Sequence, residues 1–252
     1  MQPQEYERMY QREGDYWWFV ARRRLALALM RAYAPPQIGR ILDAGCGTGA
    51  LLAELSDQGF AVGVDVERAA LCLTRQRSAL PVVQARLEAL PFASETFQVA
   101  FALDVLEHLP DERPALRELY RVLQSGGCLI LSTPAYRWLW SKHDVALAHY
   151  RRYTARELQA RLHEAGFQVR KLSYSLGLLL PAIALARWLD RLRPGKPAAT
   201  VVPVPRWLNR ALVSLLDKET QLLLRYNLPF GVSLAAVAHK SPNPAGETPS
   251  PL

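Results

Sequence analysis

A glycine-rich turn, DAGCGTG at 43–49, follows an apolar strand predicted at Arg40–Ala44 and opens a helix predicted from Thr48 to Asp57. Glycines there let the backbone approach a ligand, and the free N–H groups at a helix start favour an anion. Asp65 stands 22 residues after Asp43, at the end of the next predicted strand, where a carboxylate can accept both hydroxyls of a ribose. Together these features favour a nucleoside site over a turn that needs glycines only for its shape.

The glycine spacing separates two kinds of nucleoside cofactor. A dinucleotide site has the pattern G-x-G-x-x-G and must accommodate a pyrophosphate. Here Gly45, Gly47 and Gly49 form G-x-G-x-G, with Asp43 two positions before the first of them. That acid would repel a pyrophosphate but suits a ligand with an ammonium group. The absence of a Tyr-x-x-x-Lys pair also speaks against a nicotinamide-dependent dehydrogenase, which stays as an alternative.

Short apolar runs alternate with helical patterns between Gly39 and Ser175, which is typical of an α/β fold with a parallel sheet wrapped by helices. Strands are predicted at Arg40–Ala44, Ala61–Asp65, Pro81–Gln84, Phe97–Leu103, Cys128–Ser132, Phe167–Ser173 and Gly231–Ala238. Helices are predicted at Thr48–Asp57, at Glu67–Arg77, at Asp111–Leu123 before a terminating Gly126-Gly127, and from a capping box at Thr154–Glu157 to Gly166. Two apolar, tryptophan-bearing segments, Leu176–Leu192 and Val204–Tyr226, break the alternation and predict a helical insertion.

The 252 residues suffice for one domain with an insertion, and a 50% hydrophobic content excludes a mainly disordered chain. The expected parts are an N-terminal helical lid at 1–36, a core at 37–175 and 229–240, a helical insertion at 176–228 and a disordered tail at 241–252. Three scattered cysteines argue against a disulfide scaffold or a zinc site. With no signal peptide and no apolar run long enough to span a bilayer, the expected location is the cytoplasm, with peripheral contact at the inner membrane surface left open.

Six segments, in this order, resemble the class I S-adenosylmethionine-dependent methyltransferases, and among them the small-molecule branch that includes the quinone-biosynthesis O-methyltransferases. They are Ile41–Gly49, Gly63–Asp65, Leu87–Phe92, Asp104–Leu109, Arg121–Gly127 and Pro229–Ala238. The resemblance covers about residues 1–175 and the final strand. It implies a Rossmann-like, seven-stranded sheet in the order 3-2-1-4-5-7-6, with the last strand antiparallel and helices on both faces.

The resemblance also implies a binding mode for S-adenosylmethionine. Asp43 would lie near the methionine amino group, and Asp65 would hold the ribose hydroxyls. The other implied cofactor residues are Ala44, Gly45, Gly47 and Gly49 in the turn, Val66 and Leu87 near the adenine, and Leu103 and Asp104 beside the methionine and its methyl group. Arg22 or Arg23, in the aromatic and basic segment 16–23, would meet the methionine carboxylate from the lid, with Arg22 preferred, although the segment could equally be an amphipathic helix packed on the domain.

Two positions depart from the family pattern. Arg86 stands where members often carry an acid that accepts the adenine amino group, so that contact would come from the backbone near Leu87 or be absent. Gln98 replaces a common aspartate before the fourth strand, and we interpret it as structural. These two changes are the support for another alternative, a binding protein that keeps the fold without catalysis.

Methyl transfer is a direct displacement, and a general base helps when the acceptor is a hydroxyl. The candidate bases are His108, after the fourth strand, and His143 and His149, in the loop after the fifth; a local hydrogen-bonding role for His108 is as plausible as catalysis. Asp104, Glu107 and His108 could hold a divalent metal, but a capped, solvated helix start is favoured, so no metal is predicted. The pair Arg151-Arg152 could hold an anionic group of the substrate, or it could form a solvated basic face.

The predicted function is methyl transfer from S-adenosylmethionine to a small-molecule or lipid- or glycan-linked acceptor, with oxygen as the expected acceptor atom. The formal charge of +8 suggests an anionic partner. Nucleic acid is not expected, because Leu103–Leu106 lacks the acid-or-Asn, Pro, Pro, aromatic element of base methylases. Apolar residues, Trp188 and flanking arginines in 176–192 suit membrane contact or an apolar acceptor pocket, while packing over the sheet is slightly preferred.

Overall fold

A computed structural model describes residues 3–192 and 203–241. The strands are β1 (Arg40–Ala44), β2 (Phe60–Asp65), β3 (Val82–Gln84), β4 (Phe97–Leu103), β5 (Leu123–Pro134), β6 (Phe167–Ser175) and β7 (Ser233–Lys240). The helices are α1 (Pro3–Arg12), α2 (Trp17–Tyr33), α3 (Ala50–Glu54), α4 (Arg68–Arg77), α5 (Arg113–Val122), α6 (Lys142–Ala146), α7 (Ala155–Glu164), α8 (Leu180–Leu192) and α9 (Arg206–Arg225). Apart from Ser241, the predicted tail lies outside the described residues.

The strands form one sheet in the order β3-β2-β1-β4-β5-β7-β6. β7 runs antiparallel to both β5 and β6, while the pairs from β3 to β5 are parallel. The predicted order and the antiparallel last strand are confirmed. Because the strand order reverses between β1 and β4, the loops after these strands diverge there and leave a crevice at the carboxyl ends of the strands.

Alternate residues of the central strands pack on opposite faces of the sheet. On β4, Ala100 and Ala102 join one buried cluster, and Val99 and Phe101 join the other. Residues of α5 and α7 complete the first cluster, whereas residues of α2, α3 and α9 complete the second. Helices therefore cover both faces, which explains why the strands read as continuous apolar runs without polar alternation.

The glycine pair after α5 does not end that helix, so this part of the sequence prediction is wrong. α5 ends at Val122, and β5 begins directly at Leu123 with the glycines inside it. Phe97 pairs with Leu123 but Val99 pairs with Cys128, so the chain loops out of the ladder between them. Gly126 adopts a φ of +77° there, a conformation that favours glycine.

The helix after the glycine-rich turn, α3, is also shorter than predicted. Gly49 takes a left-handed φ of +84° and precedes α3, which therefore begins at Ala50 and not at Thr48. The capping box at Thr154 is as expected: its side chain accepts from the Glu157 N–H, and the Glu157 carboxylate accepts from the Thr154 N–H.

α8 and α9 lie between β6 and β7, where the helical insertion is predicted. α9 packs along α2: Asn209 Oδ1 accepts from the Trp17 N–H at 2.9 Å, and Arg24 pairs with Asp217 at 2.6 Å. α8, by contrast, has no buried residue among its 13. Across 3–192 and 203–241, no helix combines the length and the hydropathy needed to cross a bilayer.

Candidate active site

A cavity of about 1170 Å³ opens at the carboxyl ends of β1, β2, β4 and β5. Its wall combines residues of the glycine-rich turn, the ends of β2 and β4, the segment after β5, and helices α1, α2 and α8. Of the residues predicted to act in catalysis or to bind the cofactor, the following line it: Arg22, Gly45, Gly47, Asp65, Val66, Leu87, Leu103, Asp104, His108, His143 and His149. The fold thus brings most of the predicted site to one place.

Within the turn, the three glycines face different neighbours. Gly45 and Gly47 have φ values of +78° and +54°, and a Cβ on them would lie 2.4 Å from Val105 Cγ2 and 2.9 Å from Met9 Cε. A Cβ on Gly49 would instead meet Thr74 Cγ2 of α4 at 2.5 Å. Gly49 and the fully buried Ala44 are therefore residues that shape the turn, and their place in cofactor binding stays a prediction.

Asp65, at the end of β2, is buried and held by two backbone donors. Its Oδ2 accepts from the Gly47 N–H and its Oδ1 from the Glu67 N–H, both at 2.9 Å. Burial raises the pKa of this carboxyl, and the two N–H donors oppose that effect. Each oxygen keeps a second lone pair, so the group can still accept from a ribose. Arg86 pairs with Glu88 at 2.5 Å and is mostly exposed, so its side chain offers no acceptor for an adenine.

Asp43 lies at the end of β1 with its Oδ2 buried and without a hydrogen-bond partner among the described residues. Burial raises the pKa of this carboxyl to about 7, and the negative charges of Asp65 and Glu13 act in the same direction. A buried carboxylate without a cationic partner is costly, and an ammonium group placed against it would remove that cost. Asp43 and Asp65 therefore fit the amino group and the ribose of S-adenosylmethionine.

Asp104, which follows β4, links the lid to the sheet. Its Oδ2 forms an ion pair with Arg22 of α2, and its Oδ1 accepts from Ser132 Oγ at 2.7 Å. Burial acts to raise the pKa of Asp104, but Arg22 and Ser132 outweigh it and hold the pKa below the usual value. Arg22 is thus already paired with a carboxylate of the protein, and a contact with the methionine carboxylate remains a prediction.

Two of the three candidate histidines are in contact. His108 and His149 meet edge to face with ring centroids 4.7 Å apart, and His149 Nδ1 lies 3.0 Å from Asp144 Oδ1. His143 lines the same cavity from α6, and its buried Nδ1 has no partner among the described residues. Burial lowers the pKa of His108 to about 4 and that of His143 to about 3, so both rings are neutral near pH 7.

Asp144 is a functional residue to which the sequence analysis assigned no role. It is fully buried, accepts from Arg152 Nε at 2.7 Å and from the Ser141 N–H at 2.9 Å, and orients His149. Burial acts against its charged form, yet His149 and Arg152 hold its pKa well below the ordinary value. The capping box between Ser141 and Asp144 was a local sequence signal for this residue, but it does not indicate that Asp144 contacts His149.

Glu107 is buried beside these groups with neither carboxyl oxygen hydrogen-bonded in the described part of the chain. Burial and the nearby Asp104 raise its pKa well above the usual value. Glu107, His108 and His149 each offer one ligand atom, and these atoms lie within 4.8 Å of one another. The sequence suggested Asp104, Glu107 and His108 as possible metal ligands. In the structure Asp104 pairs with Arg22, so His149 would take its place in such a set.

Arg151 and Arg152 are both engaged by groups of the protein, and a contact with an anionic substrate group stays a prediction. Arg151 forms an ion pair with Glu112 and donates to the Leu109 carbonyl at 3.1 Å. Arg152 is buried, holds Asp144 and donates to the Ala135 carbonyl at 3.0 Å. These contacts position the loop after β5, although the buried Nε of Arg151 has no hydrogen-bond partner among the described residues.

The sheet order and the two carboxylates at the crevice define a Rossmann-like domain of the methyltransferase class. Residues 42–131 match the family described as "Methyltransferase domain". The chain thus carries a methyltransferase domain and is similar to the S-adenosylmethionine-dependent methyltransferases, as its sequence motifs predict.

Individual relatives agree with this assignment. The chain is 34% identical over 143 residues to a malonyl-[acyl-carrier protein] O-methyltransferase of Enterobacter lignolyticus, covering 54% of this chain and 57% of the relative. It is 39% identical over 120 residues to a demethylmenaquinone methyltransferase of a Roseiflexus species, covering 44% and 50%. The chain therefore spans about half the length of these curated relatives.

Among solved structures, an S-adenosylmethionine-dependent methyltransferase of Thermotoga maritima, described as a possible histamine N-methyltransferase, has the same fold. The TM-score is 0.61 at 18% sequence identity, over 94% of this chain and 96% of that one. At this identity the likeness concerns the fold and carries no information on the acceptor.

Proposed function

We propose that this protein transfers the methyl group of S-adenosylmethionine to a hydroxyl of a small-molecule or lipid-linked acceptor. The observation that carries the proposal is His149, held by Asp144, which lines the same cavity as the cofactor carboxylate Asp65. A base and a cofactor site on one cavity are what methylation of a hydroxyl requires. The name of the Enterobacter relative, an O-methyltransferase, supports oxygen as the acceptor atom.

Bound S-adenosylmethionine would supply an electrophilic methyl group on a positively charged sulfur. In the transfer, the acceptor oxygen would form a bond to the methyl carbon as the carbon–sulfur bond broke, and the electron pair of that bond would stay on sulfur. The protein's task is to align the acceptor and to take its proton. With Nδ1–H donated to Asp144, His149 keeps its Nε2 lone pair free to accept that proton, and the negative Asp144 stabilises the resulting imidazolium.

The buried neutral groups around His149 support this assignment. His108 packs against its ring; burial lowers the pKa of His108, while burial and Asp104 raise the pKa of Glu107, so both shifts favour the uncharged forms. When protonated, Glu107 can also donate a hydrogen bond from within the wall of the cavity. In this proposal His108 and Glu107 shape the acceptor site, while His149 acts as the base.

Calorimetric titration with S-adenosylmethionine, S-adenosylhomocysteine and NAD tests the cofactor. We expect heat from the first two and none from NAD; binding of NAD alone would favour the dehydrogenase and overturn the proposal. A metabolite extract incubated with S-adenosylmethionine labelled in its methyl group then tests the reaction. We expect label in an ether that resists mild base, whereas label only in a methylamine would overturn oxygen as the acceptor atom.

A further inference from the structure

Helix α8 has two apolar faces that serve different surfaces. On the inner face, Ile183 packs with the cluster formed by α2 and α9, and it lines the cavity together with Arg187. On the outer face of α8 and in the turn before it, exposed apolar side chains recur at intervals of three and four residues; they are Leu178 in the turn, and Pro181, Leu185, Trp188 and Leu192 on the helix. We name these five residues the outer stripe.

The leucines and the tryptophan of the outer stripe are exposed to solvent over more than half of their surface. Leu185, Trp188 and Leu192 are 56%, 54% and 64% exposed, and α8 has no buried residue. Single exposed apolar residues are common, but a continuous stripe along three helical turns marks a contact surface. Since the preferred sequence interpretation was packing over the sheet, the outward orientation of this stripe is a finding of the structure.

Arg191, on α8 next to Leu192 of the outer stripe, gives this part of the surface a positive charge. Arg191 donates from Nε to the Trp140 carbonyl at 2.8 Å and also to the Trp138 carbonyl, and it forms no ion pair within 3–192 and 203–241. Trp138 itself is 55% exposed. On α9, Arg206 and Arg210 are exposed and likewise form no ion pair with a described carboxylate. Guanidinium groups and tryptophans beside a row of leucines match the interface of a bilayer that contains anionic lipids.

We propose that the outer stripe docks on an anionic lipid surface and that the acceptor enters the cavity from that surface past α8. The net charge of +8 and the unpaired arginines complement such a surface. A second copy of the chain fits less well, because it carries the same net positive charge and is not complementary to the first. The entry route rests on the proposed function, whereas the docking itself does not.

Co-sedimentation with vesicles tests the docking. The wild type is expected to sediment with vesicles of phosphatidylglycerol and phosphatidylcholine, to sediment less with phosphatidylcholine alone, and to be released by high salt. A Leu185→Ser/Trp188→Ser variant should bind at least about tenfold more weakly, because two apolar side chains no longer enter the lipid. Phe60→Ser, at an equally exposed apolar residue on the opposite end of the sheet, is the matched control and should bind like the wild type.

Three outcomes would overturn the inference. The first is a wild type that does not sediment with anionic vesicles at low salt, and the second is a stripe variant that binds as well as the Phe60→Ser control. The third is a dimer by light scattering that the stripe variant dissociates, which would assign the stripe to self-association. Titration of the same proteins with S-adenosylmethionine distinguishes a failure of this inference from a failure of the proposed function. A wild type that does not bind S-adenosylmethionine contradicts the proposed function. A wild type that binds S-adenosylmethionine but not anionic vesicles contradicts only this inference.

Discussion

His149 Nδ1 lies 3.0 Å from Asp144 Oδ1, the same carboxylate oxygen that Arg152 Nε holds at 2.7 Å. The arginine fixes the carboxylate, and the carboxylate in turn fixes the imidazole with its other nitrogen free. Because Asp144 is fully buried, this orientation does not depend on solvent. The relationship makes His149 the histidine with the geometry of a base, which the sequence could not distinguish from His108 and His143.

Replacing the base is the direct test of this assignment. We expect His149→Gln to lower the rate of methyl transfer by about 100-fold or more, because the acceptor proton loses its destination, while the affinity for S-adenosylmethionine changes little. Single-turnover transfer of a labelled methyl group and calorimetry measure the two effects. His163→Gln, at an exposed histidine of α7, serves as the control and should match the wild type. Equal rates for both variants would remove His149 from the mechanism.

Asp43 should make cofactor binding depend on pH. The pKa of Asp43 is about 7 in the protein without cofactor, and the carboxyl must be ionised to pair with the cofactor's ammonium group. The affinity for the cofactor should therefore fall as the pH drops below 7. We expect a loss that approaches tenfold per pH unit between pH 6.5 and 5.5, measured by calorimetry. Asp43→Asn should bind weakly with little change over this range, and an unchanged slope in that variant would assign the titration to another group.

The same variant should stabilise the protein without cofactor. The pKa of Asp43 is higher in the folded protein than in the unfolded protein, so ionisation of this carboxyl destabilises the folded state. The destabilisation grows as the pH rises from the unfolded pKa to the folded pKa and is fully present at pH 8. We expect Asp43→Asn to raise the free energy of unfolding at pH 8 by about 1 kcal/mol or more, in urea titrations of the cofactor-free protein. Asp57→Asn, at an exposed acid, should have no such effect. Equal stability of Asp43→Asn and the wild type would show that the buried carboxyl is already satisfied.

Two glycines of one motif should respond differently to alanine. Gly49→Ala places a Cβ 2.5 Å from Thr74 Cγ2 and 3.1 Å from Thr74 Cα at a φ of +84°, so we expect a loss of about 2 kcal/mol in stability. At Gly47 the nearest atom is the flexible end of Met9, so the loss in stability should be smaller and the loss in cofactor affinity larger. Thermal unfolding and calorimetry compare them; a reversed order would contradict the assignment of Gly49 to the turn.

The ion pair between Arg22 and Asp104 should hold the lid helix on the sheet. Removing the cation in Arg22→Met leaves a buried carboxylate, and we expect a loss of about 1–3 kcal/mol near pH 7. Since Asp104 has a lowered pKa in the folded state, the stabilisation is present above the ordinary Asp pKa and is lost as the pH falls towards the folded value. The difference between variant and wild type should therefore shrink below about pH 4.

Arg24→Met is the matched control, since Arg24 forms an exposed ion pair with Asp217 between the same helix, α2, and α9. Exposed pairs contribute about 0–1 kcal/mol, so this variant should unfold close to the wild type. If both variants lose the same stability, the Arg22 pair has no special role in fastening the lid.

Local patterns were enough to predict most of the sheet. β1 and β4 have the predicted bounds, and the Thr154 capping box opens α7 as expected, because apolar runs and caps are encoded within a few residues. The loop at Gly126 inside β5 was not predicted, since a glycine pair after a helix is also the usual sign of the helix end. The loop follows from the register in which β5 pairs with β4, and no local sequence pattern encodes that register.

The site was predicted where the motif itself binds and missed where distant segments meet. Asp43 and Asp65 lie at the carboxyl ends of β1 and β2, so their position was accessible from the sequence. The role of Asp144 depends on His149 and Arg152 folding back over it, and the partner of Arg22 lies 82 positions away. The histidine and arginine assignments therefore needed the tertiary structure.

α1 covers the ribose end of the crevice. Tyr6 is buried beside Asp65, whose charge, after burial, raises the pKa of the Tyr6 phenol, and Met9 reaches Gly47. Arg77 fastens this helix to α4 by donating to the Tyr10 carbonyl at 2.7 Å. A nucleoside held by Asp65 would therefore need these contacts to open before it could exchange on this side. If exchange takes that route, detachment of α1, and not bond breaking at sulfur, is expected to set the turnover number.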